Sequence, residues 1–130
     1  MALMKFREPN QVRWQGVRPG HNGTQVLAFA FADNETTDIY TVPAGKTFFL
    51  TWYSLGLTTV AAGNCSLQIR TPVPVVLLVL DRLFFTVAGN MPSVSQSLTF
   101  PIEVASTYLI SVVSSAAGLR AYGNIVGWVE

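Results

Sequence analysis

Leu98-Thr99-Phe100-Pro101-Ile102-Glu103-Val104-Ala105 carries the plainest periodic signal in the chain. Leu98, Phe100, Ile102 and Val104 alternate with Thr99, Pro101, Glu103 and Ala105, and successive side chains of a strand point to opposite faces. One face is therefore expected to meet a core and the other solvent. Pro101 has no N–H to give to a ladder, which points to an edge strand or a bulge there.

Segments of the same kind lie on both sides. Downstream, residues 108–115 are expected to pair with this strand as the next one. The Ala116-Ala117-Gly118 turn then leads to strands at 119–122 and 125–129. Upstream, the apolar residues 26–31 end at the turn signal Asp33-Asn34. Residues 38–42 run into Pro43-Ala44-Gly45-Lys46, where proline sets φ and glycine can supply a positive φ. Residues 47–60 are rich in Phe, Trp, Tyr, Leu and Thr, and read as one long bent strand or two broken near Gly56. Ala61-Ala62-Gly63-Asn64 makes a turn before a short strand at 65–70. Residues 75–87 end at Gly89-Asn90. Val79, Phe84, Phe85 and Val87 favour a strand there, while 77–83 alone would also fit two turns of helix.

About eight strands at intervals of roughly ten residues are the signature of an all-β sandwich or barrel. The expected fold class is a single antiparallel β-sandwich preceded by an extended N-terminal arm. The arm covers 1–24 and the β-sandwich domain 25–130. Pro9, Gly16, Pro19, Gly20 and Gly23 break up the arm, which has no sustained apolar period. It holds Lys5, Arg7, Arg13 and Arg18, half of the eight basic residues, opposed there only by Glu8. Trp14 is its best anchor for another molecule. No apolar stretch follows Lys5 and Arg7, so the start does not read as a secretory signal.

The chain has 130 residues, half of them apolar and only 12% charged, against about 25% charged in an average soluble domain. Such a surface is expected when other chains cover part of it, since obligate interfaces resemble a core cut in half. The alternative is a compact sandwich whose outer faces are rich in Ser and Thr. A net charge of +1 is too small for nucleic acid or an anionic membrane to be held through bulk electrostatics. The most apolar segment, 73–85, contains Pro74, Asp81 and Arg82 and falls short of the ~18 uncharged residues of a membrane-spanning helix.

Groups able to run chemistry are sparse. Cys65 is the only cysteine and His21 the only histidine, which excludes an intrachain disulfide and any multi-cysteine metal site. A lone thiol is compatible with a reducing compartment. His21 lies in the glycine-rich arm, a poor place to preorganise a base, and reads as a surface polar residue. Asp33, Glu35 and Asp38 read as an acidic solvated turn, because their spacing matches no calcium loop. Glu103 and Asp81 read as a strand residue and a local pair with Arg82, with nothing to make them a glycosidase pair. No phosphate loop, dinucleotide fingerprint or nucleophile elbow is present. Asn22, Asn34 and Asn64 begin acceptor triplets for glycosylation, best explained by chance in turns rich in Asn, Ser and Thr. No enzyme, cofactor or metal is expected. Among the aromatics, Trp52 and Trp128 are expected in the core.

Tyr40-Thr41-Val42-Pro43-Ala44-Gly45-Lys46-Thr47-Phe48-Phe49-Leu50 resembles the turn and following aromatic strand of small virion β-sandwich proteins of tailed bacteriophages. Phe100-Pro101-Ile102-Glu103-Val104 and the closing Asn124-Ile125-Val126-Gly127-Trp128-Val129-Glu130 are similar as well. Ala105-Ser106-Thr107 departs from the pattern, since such proteins usually carry a glycine turn there. The resemblance implies a jelly-roll-like sandwich assembled as an oligomer on a virion, with no cofactor. The expected role is capsid decoration (a cement or auxiliary protein), built up in the host cytoplasm and placed on the virion. Its expected partners are copies of itself, as a homotrimer, and a major capsid or other virion protein, with no direct nucleic acid and no membrane. Arg7, Arg13, Trp14 and Arg18 would attach the arm, and Leu77, Leu80, Leu83, Phe84 and Phe85 would form the contacts between subunits. The alternative role is host recognition or carbohydrate binding on a tail or fibre, where Asn and Asp at loop tips beside aromatics suit sugars.

Overall fold

The computed structural model describes residues 23–59, 62–73, 75–85 and 92–130. They form β1 (Thr24–Asp33), β2 (Thr36–Thr41), β3 (Phe48–Thr59), β4 (Gly63–Arg70), β5 (Val76–Phe85), β6 (Ser93–Val104), β7 (Leu109–Ser114) and β8 (Leu119–Val129). β4 and β5 pair as a hairpin whose base is tied by the Thr71 N–H donating to the Val75 carbonyl at 3.0 Å. Outward from that hairpin the pairing is nested: β3 with β6, β2 with β7, and β1 with β8, all antiparallel. The ribbon wraps into two four-stranded sheets, ordered β1-β8-β3-β6 and β2-β7-β4-β5. That order is a jelly roll, the double-sheet arrangement that folds an antiparallel ribbon over one core. The fold class is therefore all-β, as the strand count and turns indicated.

The core lies between the sheets. Phe48, Leu50, Leu55, Leu57, Leu119 and Ile125 face Leu67, Ile69, Ile110 and Val112 from the opposite sheet, all of them buried. Gly123 of β8 lets the layers close. A Cβ on Gly123 would stand 2.7 Å from Cδ1 of Ile39 and 3.1 Å from Cδ1 of Leu67, so the bare backbone accepts side chains of the other sheet. The ends of the sandwich are fastened by polar groups. The Thr47 and Glu130 backbones exchange bonds at 2.9 and 3.0 Å. At the other end the Asn34 N–H donates to Ser114 Oγ at 3.1 Å, and the Gly118 N–H to Asp33 Oδ1 at 3.0 Å.

Several local expectations need correction. β7 does not pair with β6; it crosses to the other sheet and lies between β2 and β4. Residues 119–122 and 125–129 are one strand, because Gly123 and Asn124 continue the ladder instead of turning. The segment 77–83 is strand and not helix. The 98–105 alternation fails at Phe100, which is 82% exposed. The reason is Pro101: β6 is an edge strand, and its register against β3 jumps between Ile102 and Ser97 while β3 advances only from Leu50 to Trp52. The bulge resets which residues face inward. On the β3 side it turns Trp52 to the outer face, half-buried, so it is not a core residue. Trp128 is buried as expected, but it is stacked with Phe49, its partner across the strands, at 4.9 Å between ring centroids. Residues 1–22 of the arm, with Arg7, Arg13, Trp14, Arg18 and His21, and the Gly89-Asn90 turn lie outside the described residues, while Thr24 already belongs to β1.

Two turns with positive φ lie against each other, joined by the Gly45 N–H donating to Ser106 Oγ at 2.8 Å. Gly45 takes φ 78° in the turn closed by the Lys46 N–H to the Pro43 carbonyl at 3.1 Å. Thr107, in the Ala105-Ser106-Thr107 departure, takes φ 69° while its N–H donates to the Val42 carbonyl at 3.0 Å. A β-branched residue in that region is strained by about 1–2 kcal/mol. Glycine removes the strain but loses more entropy on folding. Thr107→Gly should therefore give a net gain of about 0.5–1 kcal/mol, seen as a rise of a few degrees in the melting temperature. No gain, or a loss, would mean that the threonine conformation is unstrained.

Candidate assembly surfaces

The β5 edge comes first, because its composition is least suited to water. Val75, Val76, Leu77, Leu78 and Val79 are exposed one after another, with Val73 before them and Phe84 further on. Two causes place them there. β5 is the last strand of its sheet, so β4 covers it on one side only. Its register against β4 also shifts twice, between Val79 and Asp81 and between Val76 and Leu78, leaving Leu80 and Leu77 as extra residues. These irregularities break the two-residue rhythm that would hide alternate side chains. Of the side chains expected at subunit contacts, Leu77 is 60% and Phe84 70% exposed. Leu80 and Leu83 are instead partly buried and pack against the core, so they are not free for a partner. Phe85 ends the strand, and its side chain lies outside the described residues.

A second surface is the outer face of the other sheet. Along β1, Leu27, Phe29 and Phe31 are exposed while Val26, Ala28, Ala30 and Ala32 turn inward. The register with β8 and β3 sets them in rows. Leu27 stands beside Val126 and Trp52, Phe29 beside Asn124 and Ser54, and Phe31 beside Tyr122 and Gly56. Phe31 and Tyr122 rings are 6.1 Å apart, with the Arg120 guanidinium 5.5 Å from the Phe31 centroid. Asn124 Nδ2 donates to Ser54 Oγ at 3.0 Å. Toward β6 the same rows end in Ser97, Ser95 and Ser93, so apolarity is concentrated on the β1 side.

Sequence reading missed this β1 face. The signal was present as large residues at 27, 29 and 31 alternating with alanines at 28, 30 and 32. Hydrophobicity alone assigns the larger set to the core. The small set faces inward instead.

The groups able to carry chemistry are dispersed. Asp33 lies 3.9 Å from Arg120, Asp38 accepts from Ser111 Oγ at 2.7 Å, and Glu35 accepts weakly from Thr37 at 3.4 Å. Among the described residues no group of three His, Cys, Asp or Glu is placed to hold a metal. Asp81 does not form the local pair expected of it through side chains. It accepts from the Tyr53 hydroxyl at 3.2 Å and from the Arg82 backbone N–H at 3.1 Å. Burial first, and then the Asp81 charge, holds the Tyr53 hydroxyl above its usual pKa. Glu103 is exposed on β6, in the other sheet, so the two carboxylates belong to different layers.

Cys65 is fully buried, and burial pushes its thiol up from 9.0 to about 11. It should resist thiol reagents in the native protein and react promptly in denaturant. Below about pH 8 the thiol is protonated in both folded and unfolded chains, and its contribution is constant. Above that, the unfolded chain ionises first, so stability should fall progressively between about pH 9 and 11. Denaturant midpoints against pH, compared with Cys65→Ala, check this: a variant falling equally over that window would contradict it.

No family model matches the chain, and no curated protein is significantly similar to it. Among solved structures it is similar to the Tobacco streak virus coat protein, at 14% identity and a TM-score of 0.37, over 78% of this chain and 83% of that one. It is also similar to a protein from disulfide-linked pili of Bacillus endospore appendages, at 13% identity and a TM-score of 0.32, over 84% and 88%. Likenesses this distant carry no argument about function.

Proposed function

We propose that this chain is a structural subunit that assembles with copies of itself and coats a larger particle, as a capsid decoration protein does. The observation that carries the reading is the set of exposed apolar side chains at Val73, Val75, Val76, Leu77, Leu78 and Val79, with Phe84 further along the strand. Monomeric soluble proteins rarely leave contiguous apolar patches larger than a few hundred Å² in water. Covering this one with other copies removes it from water at about 25 cal/mol per Å². A trimer gathered through β5 is the proposed cluster, with the arm of residues 1–24 reaching the shell through Arg7, Arg13, Trp14 and Arg18. The motif likeness of residues 40–50 to phage virion proteins supports the virion setting. The role is binding and not catalysis.

The test is an electron-microscopy map of the particle that carries this chain, with and without residues 1–20. The expected result is symmetric clusters of jelly rolls on the outside of the shell, lost when the arm is deleted. Full occupancy by the shortened chain would remove the tether. Absence from the shell, together with saturable glycan binding by the isolated protein, would put host recognition in its place.

A further inference from the structure

The four sheet edges of this jelly roll are not equally protected. An edge strand offers a row of unpaired N–H and C=O groups, and proteins blunt such edges with bulges, proline, charge or short length. β2 is six residues long and is interrupted between Asp38 and Tyr40. β5 carries two register shifts together with Asp81 and Arg82. β6 has Pro101 inside a large bulge. β1 has none of these devices. It runs ten residues in unbroken register with β8, without proline, and its one charge is Asp33 at the very end. Among the described residues no strand pairs with its other side.

The strand is also self-complementary. Laid antiparallel on a second copy about Phe29, it sets Leu27 opposite Phe31 of the other molecule and Phe29 opposite Phe29. Gln25 then meets Asp33, an amide against a carboxylate, at both ends. A parallel pairing in register would place Asp33 against Asp33, and like charges directly opposite are destabilising. Leu27, Phe29 and Phe31 expose about 350 Å² per copy, at roughly 200 Å² for a whole aromatic side chain. These side chains stand on the outer face, so edge pairing buries only the flanks that meet across the seam, and main-chain hydrogen bonds between the two strands carry the contact.

We propose that β1 is a strand-addition edge, on which β1 of a second copy pairs antiparallel about a two-fold axis at Phe29. Two four-stranded sheets become one of eight. The contact is isologous, the same patch on both molecules, and leaves the β5 surface free for the trimeric cluster. It rests on the reading of the chain as a self-assembling subunit.

The experiment is oxidative cross-linking of the full chain carrying Phe29→Cys, beside Phe100→Cys and Phe84→Cys, with particle mass measured in parallel. Strand pairing brings the two Cα atoms at position 29 within about 4.5–5.5 Å, inside disulfide range. The buried native thiol does not compete. Position 100 is exposed and reports random collision. The expected result is a covalent dimer through position 29 formed at least ten-fold faster than through position 100. Oligomers that form without that difference, or that cross-link fastest through position 84, overturn the β1 inference and leave self-assembly standing. A monomer at every concentration overturns both.

Discussion

Leu77→Lys combined with Phe84→Lys should leave the chain folded and break the contacts through β5. Both side chains point mainly into solvent, at 60% and 70% exposure. Substitutions at such positions usually change stability by about 0.5 kcal/mol or less, so the melting temperature should move by only a few degrees. In an assembled particle the same positions would be buried. Losing a buried Leu and a buried Phe removes about 1.5–3 kcal/mol each, and a desolvated lysine adds a further penalty. Association should therefore weaken by at least about a hundred-fold, at 1.4 kcal/mol per factor of ten. Sedimentation of the double variant beside the parent reads this directly. Unchanged association with an unchanged melting curve would show that β5 is not an interface.

Gly127→Ala should be the most damaging conservative change in the sandwich. A Cβ there would lie 2.1 Å from the Phe49 carbonyl oxygen and 2.7 Å from Cζ of Phe48. The first of these atoms belongs to the backbone of β3, and the second to a fully buried ring. Neither can move aside without parting β8 from β3, the pair that forms the middle of its sheet. Overpacking a well-filled core costs about 1–3 kcal/mol, occasionally more. Here a severed ladder adds to it, so a loss of about 3 kcal/mol or more is expected from a total of about 5–15 kcal/mol. The variant should collect in the insoluble fraction or melt far below the parent. A soluble Gly127→Ala protein with a parental melting curve would mean that β8 and β3 do not approach this closely.

Much of the fold was legible in the sequence because turn chemistry and strand propensity act locally. Pro43-Ala44-Gly45-Lys46 announced its turn, and Gly45 has the positive φ expected of it. Pro101 pointed to an edge strand or a bulge, and β6 has both. The consequence of that bulge was not legible. A break in register exchanges inside for outside, so Phe100 and Trp52 moved to the outer face although each sits in an apolar period. Partnering between strands was also hidden, because β7 leaves the sheet of β6 and pairs with β2 and β4, segments far away in sequence. At the surface, Leu77 and Phe84 could be singled out from apolarity alone. Leu80 and Leu83 in the same run could not be separated from them, since the two shifts that turn them inward leave no local mark. The exposed row on β1 was missed because the inward side is made of alanines.

The mass of the full chain in solution, followed by sedimentation across its whole soluble range, tests the central claim most directly. Apolar strand surfaces that exist to be covered predict a discrete multiple of the 14.1 kDa protomer, dissociating only on dilution or on charging β5. A particle of 14.1 kDa that stays soluble and monomeric throughout would contradict it.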